Sequence, residues 1–190
     1  MKILVISQYF YPENFRINDF VESLHARGHK ITVLTAIPNY PTGKSFGEYK
    51  IFKDNYKNID LIRVPIFVRG KNKFTLFINY LSFFISSVIL YPIFFGFKRF
   101  DYILCPLYSP PTNGFIGLIS TLFSKAKLCI WVQDLWPESL DLTTKRTPKF
   151  ISKIIKKLMM ILYKNSSLIF VQSQMFFEEI KEWMILTESF

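Results

Sequence analysis

Six short apolar runs, each the length of a strand and separated by stretches long enough for a helix, constrain this chain more than any other feature. They cover residues 2–7 (KILVIS), 30–35 (KITVLT), 59–64, 101–105, 127–132 and 167–171. Runs that are apolar on both faces belong to parallel sheets covered by helices. The intervals carry helical spacing. From Asn14 onward Ile17, Phe20, Val21 and Leu24 recur on one face, and Gly28 stands where that helix would stop. A second helix is expected over 112–124, tolerating Gly114 and Gly117, and a short one over 175–183. A polar stretch running to about Asn58 leaves room for one short edge strand. The succession predicts an α/β domain with a Rossmann-like, doubly wound, mainly parallel sheet.

In such a sheet the residues just past the carboxyl ends of the strands line the ligand crevice. The fifth run ends abruptly in Gln133, Asp134, Trp136, Pro137 and Glu138. Taken singly, Asp134 reads as the cap of a following turn and Pro137 as a strand stop. The other strand ends carry the same chemistry. Tyr9, Tyr11, Glu13, Asn14 and Arg16 follow the first, Asn39 and Tyr40 the second, and Tyr108, Ser109, Pro110 and Pro111 the fourth. Rings offer flat apolar faces while amides and carboxylates bond to hydroxyls, a combination suited to a sugar or nucleotide-sugar. The first loop, Ser7 to Asn14, holds no glycine, so the G-x-G-x-x-G that lets backbone approach a dinucleotide is missing. No Walker lysine motif and no G-x-S-x-G elbow occurs either.

The charge balance points to an anionic partner. The 190 residues carry a formal charge of +10, and 21 are Phe. Residues 74–97 form 24 positions without a charge, with Lys71 and Lys73 before and Lys98 and Arg99 after. That length would span a bilayer. A spanning helix, however, would put the third and fourth strands on opposite sides of the membrane. Thr75, Asn79, Ser82 and Ser86 also mark a narrow polar stripe. The expected arrangement is a helix packed on the sheet with surplus apolar surface offered to lipid. Residues 145–157 hold six basic residues and no acid. Lys149, Lys153, Lys156 and Lys157 fall off an apolar stripe, so the segment reads either as a sheet-covering helix with a solvated face or as one that docks on anionic lipid. The aromatic residues cluster in apolar runs rather than alternating with basic ones, and no nucleic-acid partner is expected. Cys105 and Cys129 lie inside strand patterns with no metal spacing, which predicts core packing, and no metal is expected. The amino terminus is patterned as a strand rather than a signal-peptide core, so a cytoplasmic location is expected.

Four segments in order, MKILVISQYFYPE, LHARGHKITVLTAIPNYPTG, LYSPPT and WVQDLWPES, resemble the amino-terminal half of a glycosyltransferase family 4 enzyme. The subgroup they look most like builds O-antigen and capsule, as N-acetyl-fucosaminyl or related transferases. The resemblance implies a retaining, metal-independent GT-B enzyme without a cofactor. It would take a UDP-linked nucleotide-sugar as co-substrate and a polyprenyl-diphosphate-linked saccharide as acceptor, peripheral on the inner face of the cytoplasmic membrane. Residues 1–183 would form the acceptor-side domain and 184–190 the start of a linker, with the donor domain supplied by a missing segment or a partner chain. Asp134 would contact the acceptor hydroxyl, with Gln133 and Glu138 orienting. Tyr9, Tyr11, Glu13, Asn14, Arg16, Asn39, Tyr40, Ser109 and Trp136 would shape the acceptor pocket. Two positions depart from the pattern: QYFYPENFR replaces the Gly-rich first loop, and Gln133 stands where many members have His. The alternative is a non-enzymatic module that binds membrane, acceptor or a partner chain without catalysis.

Overall fold

The computed structural model describes residues 1–43, 49–96, 98–143 and 148–186, apart from the side chains of 141–143 and 185–186. Part of the expected polar stretch (44–48), the end of the uncharged run (Phe97), residues 144–147 with the basic Lys145 and Arg146, and the tail 187–190 lie outside them. The chain runs β1 (Lys2–Ile6), α1 (Arg16–Ala26), β2 (Lys30–Ala36), β3 (Asp54–Tyr56), β4 (Ile59–Val64), α2 (Lys73–Phe95), β5 (Tyr102–Leu107), α3 (Thr112–Ser124), β6 (Lys127–Val132), α4 (Glu138–Thr143), α5 (Lys149–Lys164), β7 (Leu168–Val171) and α6 (Gln174–Leu186). The strands form one sheet in the order β3-β4-β2-β1-β5-β6-β7, parallel except for the β3–β4 hairpin. The doubly wound, mainly parallel sheet is therefore as expected, and the short edge strand is β3. Helix α6 continues to Leu186, past the expected boundary at 183.

Starting at the centre, the chain steps outward through β2 to β4, then returns along α2 to build the other half from β5. Strand alternation splits the apolar residues between two faces. Leu4, Ile6, Leu34 and Ile62 point one way, to Phe83 of α2, Ile116 of α3 and Leu162 of α5. Ile3, Val5, Val33 and Leu61 point the other way, to Ile17 and Val21 of α1. Helix α3 lies close to the strands because of its glycines. A Cβ on Gly114 would come within 2.6 Å of Leu107 and Leu162 side chains, and one on Gly117 would overlap the Cys105 sulfur. Both cysteines are buried and free, and burial pushes the Cys129 thiol up to about 11 and the Cys105 thiol upward as well. Packing is their role.

Helix α2 begins at Asn72, whose side chain accepts a bond from the Thr75 amide at 2.7 Å. Among the described residues it is the one helix long and apolar enough to cross a membrane. Yet it joins β4 to β5 of the same sheet and packs on α3 and β4, so it runs alongside the domain. Of the expected polar stripe, Asn79 is buried and Thr75, Ser82 and Ser86 are half-buried. Asn79 and Ser87 are buried with Phe83, Tyr91 and Phe95.

Candidate functional site

Buried amides tie the loops together at the carboxyl edge of the sheet. The Gln8 backbone amide donates to Asn113 Oδ1 (3.2 Å), and Gln8 Nε2 donates to Asn79 Oδ1 (2.8 Å). Asn79 Nδ2 in turn donates to the Phe67 carbonyl and to Asn39 Oδ1, which also accepts from the Arg69 amide (3.0 Å). Asn113 Nδ2 closes the far end on the Pro106 carbonyl (2.8 Å). Buried amides bonded in this way fix loop positions that the loop backbone could not hold by itself.

Glu13 is a second clamp. It is 4% exposed, and one carboxylate oxygen accepts from the backbone amides of both Asn39 and Tyr40 at 2.7 Å. Burial raises its pKa above the ordinary 4.5, against the lowering effect of those bonds. Ionisation of Glu13 therefore weakens folding relative to the protonated form, and its contribution falls as pH rises from 4.5 through the raised value. Glu13→Gln keeps an acceptor oxygen without the charge and should flatten that pH dependence. Glu13→Ala leaves two amides unpaired and should cost about 2 kcal/mol. Urea denaturation of the three proteins as a function of pH measures both effects; identical pH profiles for wild type and Glu13→Gln would contradict this account.

Above these clamps lies a floor of rings. Tyr9 stacks on Phe15 with centroids 4.8 Å apart, Tyr40 leans on both, and Tyr108 reaches Phe15 at 5.5 Å. Arg69, in the loop after β4, stands over the Tyr40 ring at 5.0 Å and donates from Nη1 to the Tyr9 hydroxyl at 3.0 Å. No described carboxylate pairs with its guanidinium. Burial is the main cause that pushes the Tyr9 hydroxyl well above its usual range, so it stays protonated.

At the other end of the row the Gln133 and Asp134 amides both donate to the Leu107 carbonyl, at 3.2 and 3.3 Å, bending the chain out of β6. Asp134 Oδ2 accepts from the Ser109 hydroxyl at 2.8 Å, and the Ser109 oxygen accepts from the Trp136 indole at 2.9 Å. Gln133 Oε1 accepts from Gln172 at 2.6 Å, while its buried Nε2 has no partner among the described residues. Read in sheet order, β4 contributes Arg69, β2 Tyr40, β1 Tyr9, β5 Ser109, β6 Asp134 and β7 Gln172. The row crosses the switch point between β1 and β5, where open α/β sheets bind ligands.

No protein-family model matches the chain, and no curated protein matches it. Among solved structures it is similar to CalG4, the calicheamicin glycosyltransferase, with a TM-score of 0.48 at 14% identity. The match covers 86% of this chain and 40% of that one, so the chain spans less than half the length of CalG4.

Of the residues expected at the site, Tyr9, Asn39, Tyr40, Ser109, Gln133, Asp134 and Trp136 gather in the row. Glu13 and Asn39 hold it from beneath. Tyr11 turns away and stacks on Tyr56 at 3.9 Å. Asn14 and Arg16 are exposed, as is Glu138, which opens α4. Of the four lysines, Lys149, Lys153 and Lys157 are exposed, whereas Lys156 sits over the Trp183 ring at 4.3 Å. Sequence reasoning passed over Gln8, Arg69, Asn113 and Gln172. Gln172 stood at a strand end and Arg69 just past one, the signal that could have found them.

Proposed function

We propose that this chain is the acceptor-side half of a retaining GT-B glycosyltransferase of family 4 type. It would move a sugar from a UDP-linked donor to a polyprenyl-diphosphate-linked saccharide in O-antigen or capsule synthesis. The observation that carries the reading is the row from Arg69 to Asp134, a cation and a carboxylate at opposite ends of an aromatic floor. Arg69 suits the diphosphate, because guanidinium binds phosphate through charge-assisted bonds and here has no competing carboxylate among the described residues. The rings suit sugar faces. Asp134, with one oxygen held by Ser109, has the other available for an acceptor hydroxyl. The unpaired Gln133 Nε2 beside it is a buried donor of the kind that ligand groups satisfy.

Transfer in such enzymes takes place in a cleft with groups on both walls, and this chain supplies one wall. Residues 1–190 are therefore expected to transfer nothing, whatever nucleotide-sugar is offered. Joined to a donor domain, fused or separate, they should regain transfer to a lipid-linked saccharide. Robust transfer by the isolated chain would overturn the half-enzyme reading. Failure with every donor domain, despite acceptor binding, would favour a non-catalytic module.

A further inference from the structure

Helix α2 is amphipathic in the wrong sense for a helix facing water. Its inner residues recur every fourth position from Asn79 to Phe95 and include an amide and a hydroxyl. On the opposite side Phe74, Phe77, Leu81, Ile85, Ile89 and Ile93 are 40–71% exposed. Helix α5 repeats the arrangement. Met159, Leu162 and Tyr163 face inward, while Phe150, Ile154, Leu158 and Ile161 lie exposed on the other side. Between them in the same layer, α3 exposes Leu122 and Phe123, and the Phe123 ring reaches Tyr91 of α2 at 5.9 Å. The outer surface of α2, α3 and α5 is thus apolar.

The charges on these three helices have one sign. No Asp or Glu occurs between Asp60 and Asp101, between Asp101 and Asp134 or between Asp141 and Glu178, the stretches containing α2, α3 and α5. Lys71 and Lys73 stand at one end of α2, and Lys98 and Arg99 at the other. By helical spacing Lys153, Lys157 and Lys164 form a row along one edge of the α5 stripe. The acids lie on other helices: Asp19 and Glu22 on α1, against the opposite face of the sheet, and Glu178, Glu179 and Glu182 on α6, which packs on α5 in the same layer.

We propose that this layer docks flat on an anionic phospholipid bilayer, with α2 in the plane of the interface and its Phe74–Ile93 stripe among the acyl chains. An apolar face flanked by cations, as on α2 and α5, is the pattern of interfacial helices, which bind by buried apolar area plus attraction to anionic lipid. A second copy fits poorly, since facing two such layers would bring like-charged rims together. Spanning is excluded by the attachment of both ends of α2 to one sheet. Phe67 and Val68, also exposed, immediately precede Arg69, so docking brings the crevice mouth to headgroup level. That orientation rests on the lipid-linked acceptor reading; the docking itself does not, and its test contains no saccharide.

The test is flotation of the 190-residue chain with vesicles of phosphatidylcholine, alone or mixed with phosphatidylglycerol. Binding is expected to the anionic vesicles and to weaken with salt. The double variant Ile85→Glu, Ile89→Glu should weaken it about tenfold or more, with far-ultraviolet circular dichroism unchanged. Changing Lys153, Lys157 and Lys164 to Glu should remove the salt response. Because Cys105 and Cys129 are buried, a polarity-sensitive dye can be placed on Ile89→Cys or, as control, on exposed Ser23→Cys of α1. A blue shift at position 89 and none at 23 is expected. Absent binding to anionic vesicles, or equal shifts at the two positions, would overturn the proposal. So would a dimer that Ile85→Glu dissolves with no vesicle binding, or resistance to carbonate extraction.

Discussion

Asp134→Asn is expected to lower turnover about 100-fold or more in the assembled two-domain enzyme, within the range for a lost acid–base group. The neutral amide presents a weaker acceptor to the incoming hydroxyl and cannot take its proton. It also places a donor where the Ser109 hydroxyl now donates at 2.8 Å. Ser109→Ala should fall about tenfold, because it removes the bond that holds Asp134 and the partner of the Trp136 indole but leaves the carboxylate in place. The loss on Asp134→Asn should appear in kcat rather than in acceptor KM. Full turnover by Asp134→Asn would make Asp134 a cap on the bend after β6 and nothing more.

Arg63→Ala is expected to cost about 3 kcal/mol of stability, read as a fall in the urea midpoint with unchanged slope. Arg63 is 1% exposed and lies on the same face of β4 as Ile59 and Leu61. Its Nε pairs with Asp54 of β3 at 2.7 Å, its Nη2 donates to the Tyr11 carbonyl at 2.8 Å, and its guanidinium lies 4.9 Å from the Tyr49 ring. Truncation leaves a carboxylate and a carbonyl without their partner and opens a cavity beneath the first loop. Asp54 is 22% exposed, so water takes up part of its lost pairing, and the figure sits at the low end for a broken buried pair. A change under about 1 kcal/mol would mean that the pair and its bonds contribute little net stability.

Much of the architecture was legible because burial on both faces leaves an unbroken apolar run, and six such runs with helical spacing between them admit few alternatives. Ser109 and Asp134 were legible for a related reason: in a parallel sheet, strand ends of one polarity share an edge. The direction in which a loop side chain turns was not. Tyr9 and Tyr11 stand two apart in one loop, yet one enters the ring floor and the other stacks over the β3–β4 hairpin. Asn79 sat in an uncharged run and read only as part of a narrow polar stripe. Its burial depends on Gln8 and Asn39, which are distant in sequence. Arg63 interrupts a strand whose neighbours are apolar, and the positions of Asp54, the Tyr11 carbonyl and the Tyr49 ring explain it. Arg69 precedes the long uncharged run and was overshadowed by it.

The central claim is that the row from Arg69 to Asp134 holds a lipid-linked anionic saccharide. It is tested most directly by titrating the 190-residue chain with a polyprenyl-diphosphate-linked saccharide in nanodiscs of neutral lipid. Saturable binding is expected, absent for the polyprenyl alcohol alone and weakened about tenfold or more by Arg69→Ala, the usual scale for a lost charge-assisted bond. Binding that is not saturable, or that Arg69→Ala and Asp134→Ala both leave unchanged, would contradict the claim.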